Sequence, residues 1–447
     1  MLKNVLIVGL GKSGVAAAEI LNAMGYEIYA YDKRPSNQIE DISSLEKLHV
    51  KWITDITRQN IKDIDLIILS PGVPLDQEFI IDARNRGVEV ISEIEAAYRI
   101  SKTQIIAVTG TNGKTTTTSL IGELFKNAGY KVRVGGNIGS PLIYDCYEAG
   151  RDEIIVAEIS SFQLESVKYF HPAAAVLLNI TPDHLDRHKT MANYINIKSK
   201  IFMNQVKTDY AVLNYDEPNT WGIKDKINSH IIPFSRKNKL DFGLYVDDDK
   251  IFSKLGDREE KLMDSGDICI PGAHNLENSL AACAIAKEWN IDNEIIKSTL
   301  KSFKGVEHRI EFVGEKNGVK FVNDSKGTNP DAAIKAIEAV KGDIVLIAGG
   351  YDKGNDYYDF IKGFDDKVKH LILIGETAEK INIQARSLGF TDTVKADNLK
   401  NAVDEAYRLA KKGDTVLLSP ACASWDMFKN FEERGNDFKS YVNAIRG

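Results

Sequence analysis

The sequence predicts an α/β protein of three blocks, each built on a mainly parallel sheet covered on both faces. Short runs rich in Val and Ile alternate with segments of helical period almost throughout. Glycine-rich turns follow the opening strand of each of the first two blocks and run straight into helices. The chain has 447 residues, 43% of them hydrophobic, enough for two to four domains with cores of their own.

The first block reads as strand "NVLIVGLG", helix "GVAAAEILNAMG" and strand "EIYAYD", followed by "DLIILSPG" and "VEVISEIE". The second opens with "QIIAVTG" and continues through "DEIIVAEIS", "AAAVLLNIT" and "YAVLNYDEP". Its end, around "KIFSK" and "GDICIPG", reads as short antiparallel strands. The third, from near Lys304, runs "VKFVNDS", "DIVLIAGG", "HLILIGE" and "DTVLLSPA", with amphipathic helices such as "NLKNAVDEAYRLAKKG" between strands. The expected boundaries give blocks 1–93, 94–302 and 303–447.

Bulk properties exclude several classes. A net charge of −7 and a pI near 5.8 provide no basic field for nucleic acid or an anionic membrane. No apolar run approaches the roughly 18–20 residues of a membrane span. The start, "MLKNVLIVGLGKSG", is glycine-broken and lacks a small-residue cleavage site, so no secretory leader is expected. Cys146, Cys269, Cys283 and Cys422 form no C-x-x-C pair, which suits reduced thiols. The expected location is the cytoplasm.

The chemistry concentrates at strand ends. Gly9-Leu-Gly11-Lys-Ser-Gly14 follows a strand and opens a helix, with Asp32 ending the next strand. This is the dinucleotide fingerprint in its proper context, suited to NAD or to any other diphosphate. Lys12, Lys33 and Arg34 add positive charge nearby.

The second block opens "IIAVTGTNGKTTTTSLIGELF". The usual phosphate loop has four residues between its first glycine and Gly-Lys; here Val108 stands at that glycine's place, and Gly110 lies only two residues before Gly113. Backbone N–H groups at the helix start, with Lys114, could still hold β- and γ-phosphates, and Thr115 is placed to ligate Mg²⁺. Glu158 ends a buried strand where a carboxylate would meet that metal, though a solvated strand-end acid is the plainer reading. His184, Asp186 and His188 follow in "LNITPDHLDRH". The two histidines at i, i+4 lack the third ligand and the H-E-x-x-H context of a zinc site, and imidazole is not magnesium's preferred partner, so the residues alone leave His184 undecided.

In the third block, "NDSKGTNPDA" ends a strand and starts a helix, with Asn329 as N-cap and Pro330 at the first helical position. Lys326 and Thr328 flank that helix start, Lys353 marks a similar loop in "AGGYDKGNDY", and Ser424 a third in "SPACASWDMFKNFEERG". Three such loops at the carboxyl ends of strands in one sheet point to a binding crevice.

Taken together, "GLGKSG", "SPGVP", "TGTNGKTT", "GGNIG", "EISSFQLE", "LNITPDHLDRH", "GAHNLEN", "EHRIE", "NDSKGTNP" and "SPACASWDMFKNFEERG" resemble the Mur ligases over essentially the full length. The first and last motifs resemble the D-glutamate-adding branch. The resemblance implies a Rossmann-like amino-terminal domain for the UDP-substrate, a central P-loop-type ATPase sheet and a Rossmann-like carboxyl-terminal domain for the amino acid. It implies ATP-dependent peptide-bond synthesis in three steps. The L-alanine carboxylate of UDP-N-acetylmuramoyl-L-alanine attacks the γ-phosphate, the amine of D-glutamate attacks the resulting acyl phosphate, and phosphate leaves.

By motif, the resemblance implies a catalytic role for Lys114, His184, Lys198 and Lys326. It places ATP against Gly110, Thr111, Asn112, Gly113, Lys114, Thr115, Thr116, Thr117, Asn278, Arg309 and Asp324. Thr115 and Glu158 would hold one Mg²⁺, and His184 a second together with Lys198, which matches the family's carbamylated lysine. Lys200 lies two residues on, and Lys198 is chosen by its Tyr-x-x-x-Lys spacing from Tyr194. Lys12, Ser13, Asp32, Lys33, Gly72, Asn137 and Gln163 would face the UDP-substrate; Lys12 stands where relatives are often apolar. Thr328, Lys353, Ser424 and Phe431 would recognise D-glutamate.

The competing readings are a nicotinamide-dependent dehydrogenase with an accessory ATP domain and a non-catalytic nucleotide-binding regulator. A folate polyglutamate synthetase would share the central loop but not the first block. A monomer that closes about a hinge is expected.

Overall fold

The computed structural model describes residues 4–35, 39, 42–57, 60–256 and 258–445. The chain divides into two compact units, Met1–Asp267 with Glu277–Lys301, and Ile268–Leu276 with Ser302–Gly447. Among the described residues, no helix is long and apolar enough to cross a membrane.

The first unit carries two sheets. In the amino-terminal sheet, parallel strands lie in the order Lys51–Trp52, Glu27–Tyr31, Asn4–Val8, Leu66–Leu69, Glu89–Ser92. The chain's first strand is central, and the chain builds outward from it first on one side and then on the other, as in dinucleotide-binding sheets. Val5, Leu6 and Ile7 have no exposed surface, as a continuous apolar run covered on both faces requires. Helix Lys12–Ala23 starts immediately after Gly11. A Cβ on Gly14 would fall 2.0 Å from the Gly9 carbonyl oxygen, so this turn closes only without a side chain there.

The second sheet runs Glu260–Asp264, Lys250–Lys254, Gly243–Asp247, His230–Ser235, Tyr210–Asn214, Ala174–Leu177, Gln104–Thr109, Glu153–Glu158, Lys131–Gly136. Strand Gln104–Thr109 is flanked by Glu153–Glu158 on one side and Ala174–Leu177 on the other, all parallel. Successive strands therefore fall on opposite sides of it, and its carboxyl end is a topological switch point.

One segment departs from expectation. Lys250–Lys254 is antiparallel to both neighbours as anticipated, but "GDICIPG" is not a strand. The segment begins in the turn Ser265–Asp267, and the last antiparallel strand is Glu260–Asp264 instead. Gly266, Pro271 and Gly272 explain this, since proline donates no ladder hydrogen bond and glycine weakens a strand. Edge strands Lys131–Gly136 and Glu311–Lys316 have no counterpart in the sequence reading. Their charged residues obscure the apolar signal, as is usual for edges that must resist pairing with other chains.

The second unit holds one sheet in the order Glu311–Lys316, Val319–Asn323, Thr415–Leu418, Ile344–Gly349, Val368–Ile374, Thr393–Lys395. All pairs are parallel except the first. Strand Thr415–Leu418 inserts between Val319–Asn323 and Ile344–Gly349, so the loops after these three strands become neighbours.

Within the first unit the two sheets share a continuous core that includes Val5, Ile7, Ile94, Ala107 and Ile143. Helix Glu93–Ile100 joins them and carries two buried carboxylates. Glu95 accepts the backbone N–H groups of Lys168, Tyr169 and Phe170, each at 2.9 Å, and Arg99 Nε at 2.9 Å. Glu93 accepts Ile143 N at 2.9 Å, while its Oε2 has no hydrogen-bond partner among the described residues. Burial pushes the Glu93 carboxyl up from 4.5 to about 7, against the opposing hydrogen bond from Ile143.

A raised carboxyl pKa means the folded state holds the proton more tightly than the unfolded chain. The stability from Glu93 is therefore complete below pH 4.5 and lost as pH rises through 7, by about 3 kcal/mol at roughly 1.4 kcal/mol per unit. Glu93→Gln should raise the thermal midpoint above wild type at pH 8 and leave it nearly unchanged at pH 5. Equal shifts at both pH values would show that the buried charge carries no such cost.

Candidate active site

The loop after strand Gln104–Thr109 is held on every side. Asn179, just past strand Ala174–Leu177, accepts Asn112 N on Oδ1 at 2.8 Å and donates from Nδ2 to Asn112 O at 3.1 Å. The Thr111 N–H donates to Asn179 O at 2.9 Å, and Thr111 Oγ1 donates to Thr181 O at 3.1 Å. Gly113 caps helix Lys114–Asn127 at φ 84°, in the left-handed region. A Cβ there would also lie 2.2 Å from Asn278 Oδ1, so Asn278 packs directly against the loop. Thr116 and Thr117 follow in the first turn and are buried, at 2% and 0% exposure.

Two lysines meet on this loop. Lys114 Nζ donates to Gly110 O at 2.9 Å and to Thr111 O at 2.8 Å. Lys198 Nζ donates to the same Gly110 O at 2.7 Å and lies 4.8 Å from the Tyr194 ring centre. Lys198 is 1% exposed. Burial first, and then the Lys114 charge, pull the Lys198 amine well below the usual lysine range, with Asp183 and Glu158 opposing. Lys200 points elsewhere, donating to Glu165 O at 2.6 Å.

Glu158, 1% exposed, receives Thr115 Oγ1 at 2.7 Å on one oxygen and Asn137 Nδ2 at 2.7 Å on the other. Thr115, Glu158 and Asn137 thus converge, as do Lys114 and Lys198. A hydroxyl beside a buried carboxylate is a hard-oxygen donor set, which fits Mg²⁺ with phosphate and water completing its shell. His184 sits in the left-handed region at φ 53°, its Nε2 3.5 Å from Asp183 Oδ2. Its ring lies 4.8 Å from that of Phe162, and His188 flanks the same phenyl ring at 5.4 Å. His188 is 1% exposed, shares a 3.0 Å hydrogen bond with Ser161 Oγ through Nε2 and stacks on Tyr194. Gln163, 2% exposed, uses Oε1 to accept Ser160 N at 2.8 Å in a capping box.

In the amino-terminal sheet, Lys12, Lys33 and Gly72 are exposed, and Ser13 is half-buried. The Asp32 carboxylate accepts Leu10 N at 2.6 Å, Arg34 N at 2.8 Å and Arg34 Nε and Nη2. Burial would raise its pKa, but Arg34 and the Leu10 N–H outweigh it and hold the carboxyl at about 2. Asp32 therefore stabilises its own glycine loop with the oxygens a ribose diol would require. Arg187, unmarked in the sequence reading, forks the Glu165 carboxylate at 3.0 and 2.6 Å and donates to Gly72 O and Val73 O.

In the second unit, Asp324 is 3% exposed and accepts Ser419 Oγ at 2.7 Å. Burial pushes its carboxyl up to about 6, with the Arg309 charge opposing. Lys326 Nζ lies 5.2 Å from the Phe431 ring centre. Thr328 is half-buried just before Asn329, whose side chain caps helix Pro330–Ala339 through Ala332 N at 2.8 Å. Lys353 Nζ lies 5.4 Å from the Trp425 ring centre, beside the 2%-exposed Ser424. Asn179, Arg187 and Arg434 are the framework residues missed in the sequence. Asn179 and Arg187 stand inside "LNITPDHLDRH" and Arg434 inside "NFEERG", so the motifs contained them, but nothing in a linear string marks which side chain turns inward.

Residues 3–92 match the Mur ligase MurD-like N-terminal domain, 108–286 the Mur ligase middle domain, and 308–422 the Mur ligase glutamate ligase domain. The chain is 53% identical over 448 residues to a UDP-N-acetylmuramoylalanine--D-glutamate ligase of Thermoanaerobacter sp. (strain X514), covering 99% of both. It is 54% identical to one of Caldanaerobacter subterraneus subsp. tengcongensis, again over 99% of both, and 45% to one of Clostridioides difficile (strain 630), over 99% of both. In fold it resembles the UDP-N-acetylmuramate-alanine ligase MurC of Thermotoga maritima, with a TM-score of 0.61 at 21% identity and full coverage of both chains. With three family domains in order and near-full-length relatives at about half identity, the chain belongs to the Mur ligase family of ATP-dependent ligases.

Proposed function

We propose that this ligase joins D-glutamate to UDP-N-acetylmuramoyl-L-alanine in the cytoplasm, a step of peptidoglycan precursor synthesis that releases ADP and phosphate. The observation that carries the reading is the convergence of Lys114, Lys198, Thr115 and Glu158 around one glycine loop, in a chain whose full-length relatives bear that activity in their names. Residues 1–93 are assigned to the UDP-substrate, 94–302 to ATP and 303–447 to the amino acid. Lys12, Ser13, Asp32, Lys33, Gly72, Asn137 and Gln163 serve the first, with Asp32 acting through the loop it stabilises.

Phosphoryl transfer demands positioning and charge neutralisation more than covalent help from the protein. The loop N–H groups and the start of helix Lys114–Asn127 orient the phosphates, and Lys114 swings from the Gly110 and Thr111 carbonyls to the charge that develops on the transferring group. The substrate carboxylate attacks the γ-phosphorus, forming the acyl phosphate and releasing ADP. The D-glutamate amine then attacks the acyl carbon, phosphate departs with the C–O electron pair, and the nitrogen gives up a proton to the departing phosphate. Thr115 and Glu158 would hold one Mg²⁺, and His184 with Lys198 as its carbamate a second. A metal held there would supply positive charge against that developing on the phosphate. Asn278, Arg309 and Asp324 serve ATP; Lys326, Thr328, Lys353, Ser424 and Phe431 serve D-glutamate and the phosphate.

The Lys198 reading has a physical basis. Only a neutral amine adds to CO₂, and burial with a neighbouring cation favours the neutral form. The nitrogen lone pair bonds to the CO₂ carbon and a proton leaves, turning the neutral amine into an anionic oxygen ligand.

Phosphate release from ATP, Mg²⁺ and UDP-N-acetylmuramoyl-L-alanine should depend strictly on D-glutamate; release without it, or with other amino acids equally, contradicts the assignment. Lys114→Ala should lower the rate at least about a hundredfold, and survival within about tenfold would remove Lys114 from the mechanism. Protein equilibrated with ¹³C-bicarbonate should show a carbamate carbon resonance that is absent from Lys198→Ala and present in Lys200→Ala, with activity falling on CO₂ depletion. A signal that follows Lys200 instead would overturn the choice.

A further inference from the structure

Among the described residues Arg434 is the largest fully buried side chain, at 0% exposure, and it takes no part in the proposed mechanism. It stands in the second turn of helix Phe431–Ala444, and its donors all end on neutral oxygens. Nε donates to Ser325 Oγ at 3.0 Å, and Nη2 to Ser325 O at 2.8 Å and Cys422 O at 3.2 Å. Nη1 donates to Cys422 O and Ala423 O, both at 3.3 Å. Ser325 Oγ in turn donates to Phe431 O at 2.8 Å, closing the network onto the start of the same helix.

These partners come from two of the three loops that follow neighbouring strands of the carboxyl-terminal sheet. The first loop carries Lys326 and Thr328, the second Ser424. The third is tied to the second, its Tyr351 N donating to Ala423 O at 3.0 Å, and passes so close to Arg434 that a Cβ on Gly350 would lie 3.3 Å from Nη1. Ala421, next to the held Cys422, adopts φ 57°, a left-handed conformation that a residue with a β-carbon rarely takes without support. A buried guanidinium without a carboxylate partner is a poor device for stability alone, because apolar groups fill the same volume without desolvating a charge. Its planar fork can, however, hold several carbonyls in fixed relative positions, which a lysine ammonium cannot reproduce. Burial pulls Arg434 down to about 10, so it stays charged at neutral pH and keeps all its donors.

We propose that Arg434 is a positioning residue that locks the three substrate loops of the carboxyl-terminal sheet into one arrangement and thereby sets the affinity for the amino-acid substrate. The identity of that amino acid rests on the D-glutamate reading; the locking itself does not.

Two variants test it, Arg434→Lys and the milder Ser325→Ala, each measured against wild type. Hydrogen–deuterium exchange should speed up in residues 325–328 and 422–425 and remain unchanged around strand Thr393–Lys395. Uniform acceleration across the sheet would mean general destabilisation and overturn the proposal. In steady-state assays, Arg434→Lys should raise the KM for D-glutamate about tenfold or more, with the KM values for ATP and the UDP-substrate within about twofold. Parallel changes in all three, or none, would overturn it. If Arg434→Lys does not fold, Ser325→Ala decides: a rise of about threefold or more in the D-glutamate KM alone supports the proposal, and no rise refutes it. If wild-type protein ignores D-glutamate, the substrate assignment fails, and the exchange pattern alone judges the loop lock.

Discussion

Two lysine amines share one carbonyl oxygen, that of Gly110, and much of the first unit is arranged to make this possible. Lys114 arrives from the helix that the loop opens, and Lys198 from helix Met191–Ser199, far along the chain. Bringing two cations this close in a buried place is unfavourable unless one gives up its proton. Glu158 and Asp183 lessen the cost without removing it, so the Lys198 amine lies well below the usual lysine range beside Lys114. The remaining features of the loop follow from the need to keep that arrangement still. Asn179 holds the loop through both of its amide groups, and Gly113 lets the chain turn into the helix against Asn278.

The same device recurs at lower charge density in the other sheets. Each sheet delivers loops from its carboxyl edge; in the first and last a buried charged side chain orders those loops by bonding to backbone, and Glu95 does the same for the segment leading into strand Ala174–Leu177. Asp32 accepts Leu10 N in the first sheet, Glu95 accepts three consecutive N–H groups where the first two sheets join, and Arg434 donates to three carbonyls in the last. Main-chain polar groups in a buried loop must find partners, and a carboxylate or guanidinium satisfies several at once. Arg187 extends the idea by tying the Gly72 and Val73 carbonyls to Glu165.

Much of this was legible in the chain itself. Continuous Val- and Ile-rich runs marked the buried parallel strands, glycines marked the turns that need left-handed or side-chain-free backbone, and Asn329-Pro330 marked a helix start. Where reading failed, the cause was physical. The edge strands Lys131–Gly136 and Glu311–Lys316 carry charges that suppress the apolar pattern, and "GDICIPG" looks apolar yet is broken by proline and glycine. Single conspicuous residues, Lys114 or His184, were easy to select; their supports, Asn179, Arg187 and Arg434, were not, because support depends on where a side chain points.

By itself the sequence determined the α/β class, the order of the blocks and the residue types at each strand end, since these depend on periodicity and on local backbone chemistry. Tertiary structure decided which of those residues meet. It placed Lys198 rather than Lys200 on Gly110, and Asn137 as well as Thr115 on Glu158. It turned Asp32 back onto its own loop and buried Arg434 at the junction of three others. Such pairings join residues tens to more than a hundred positions apart, and only strand order in a sheet brings those positions together.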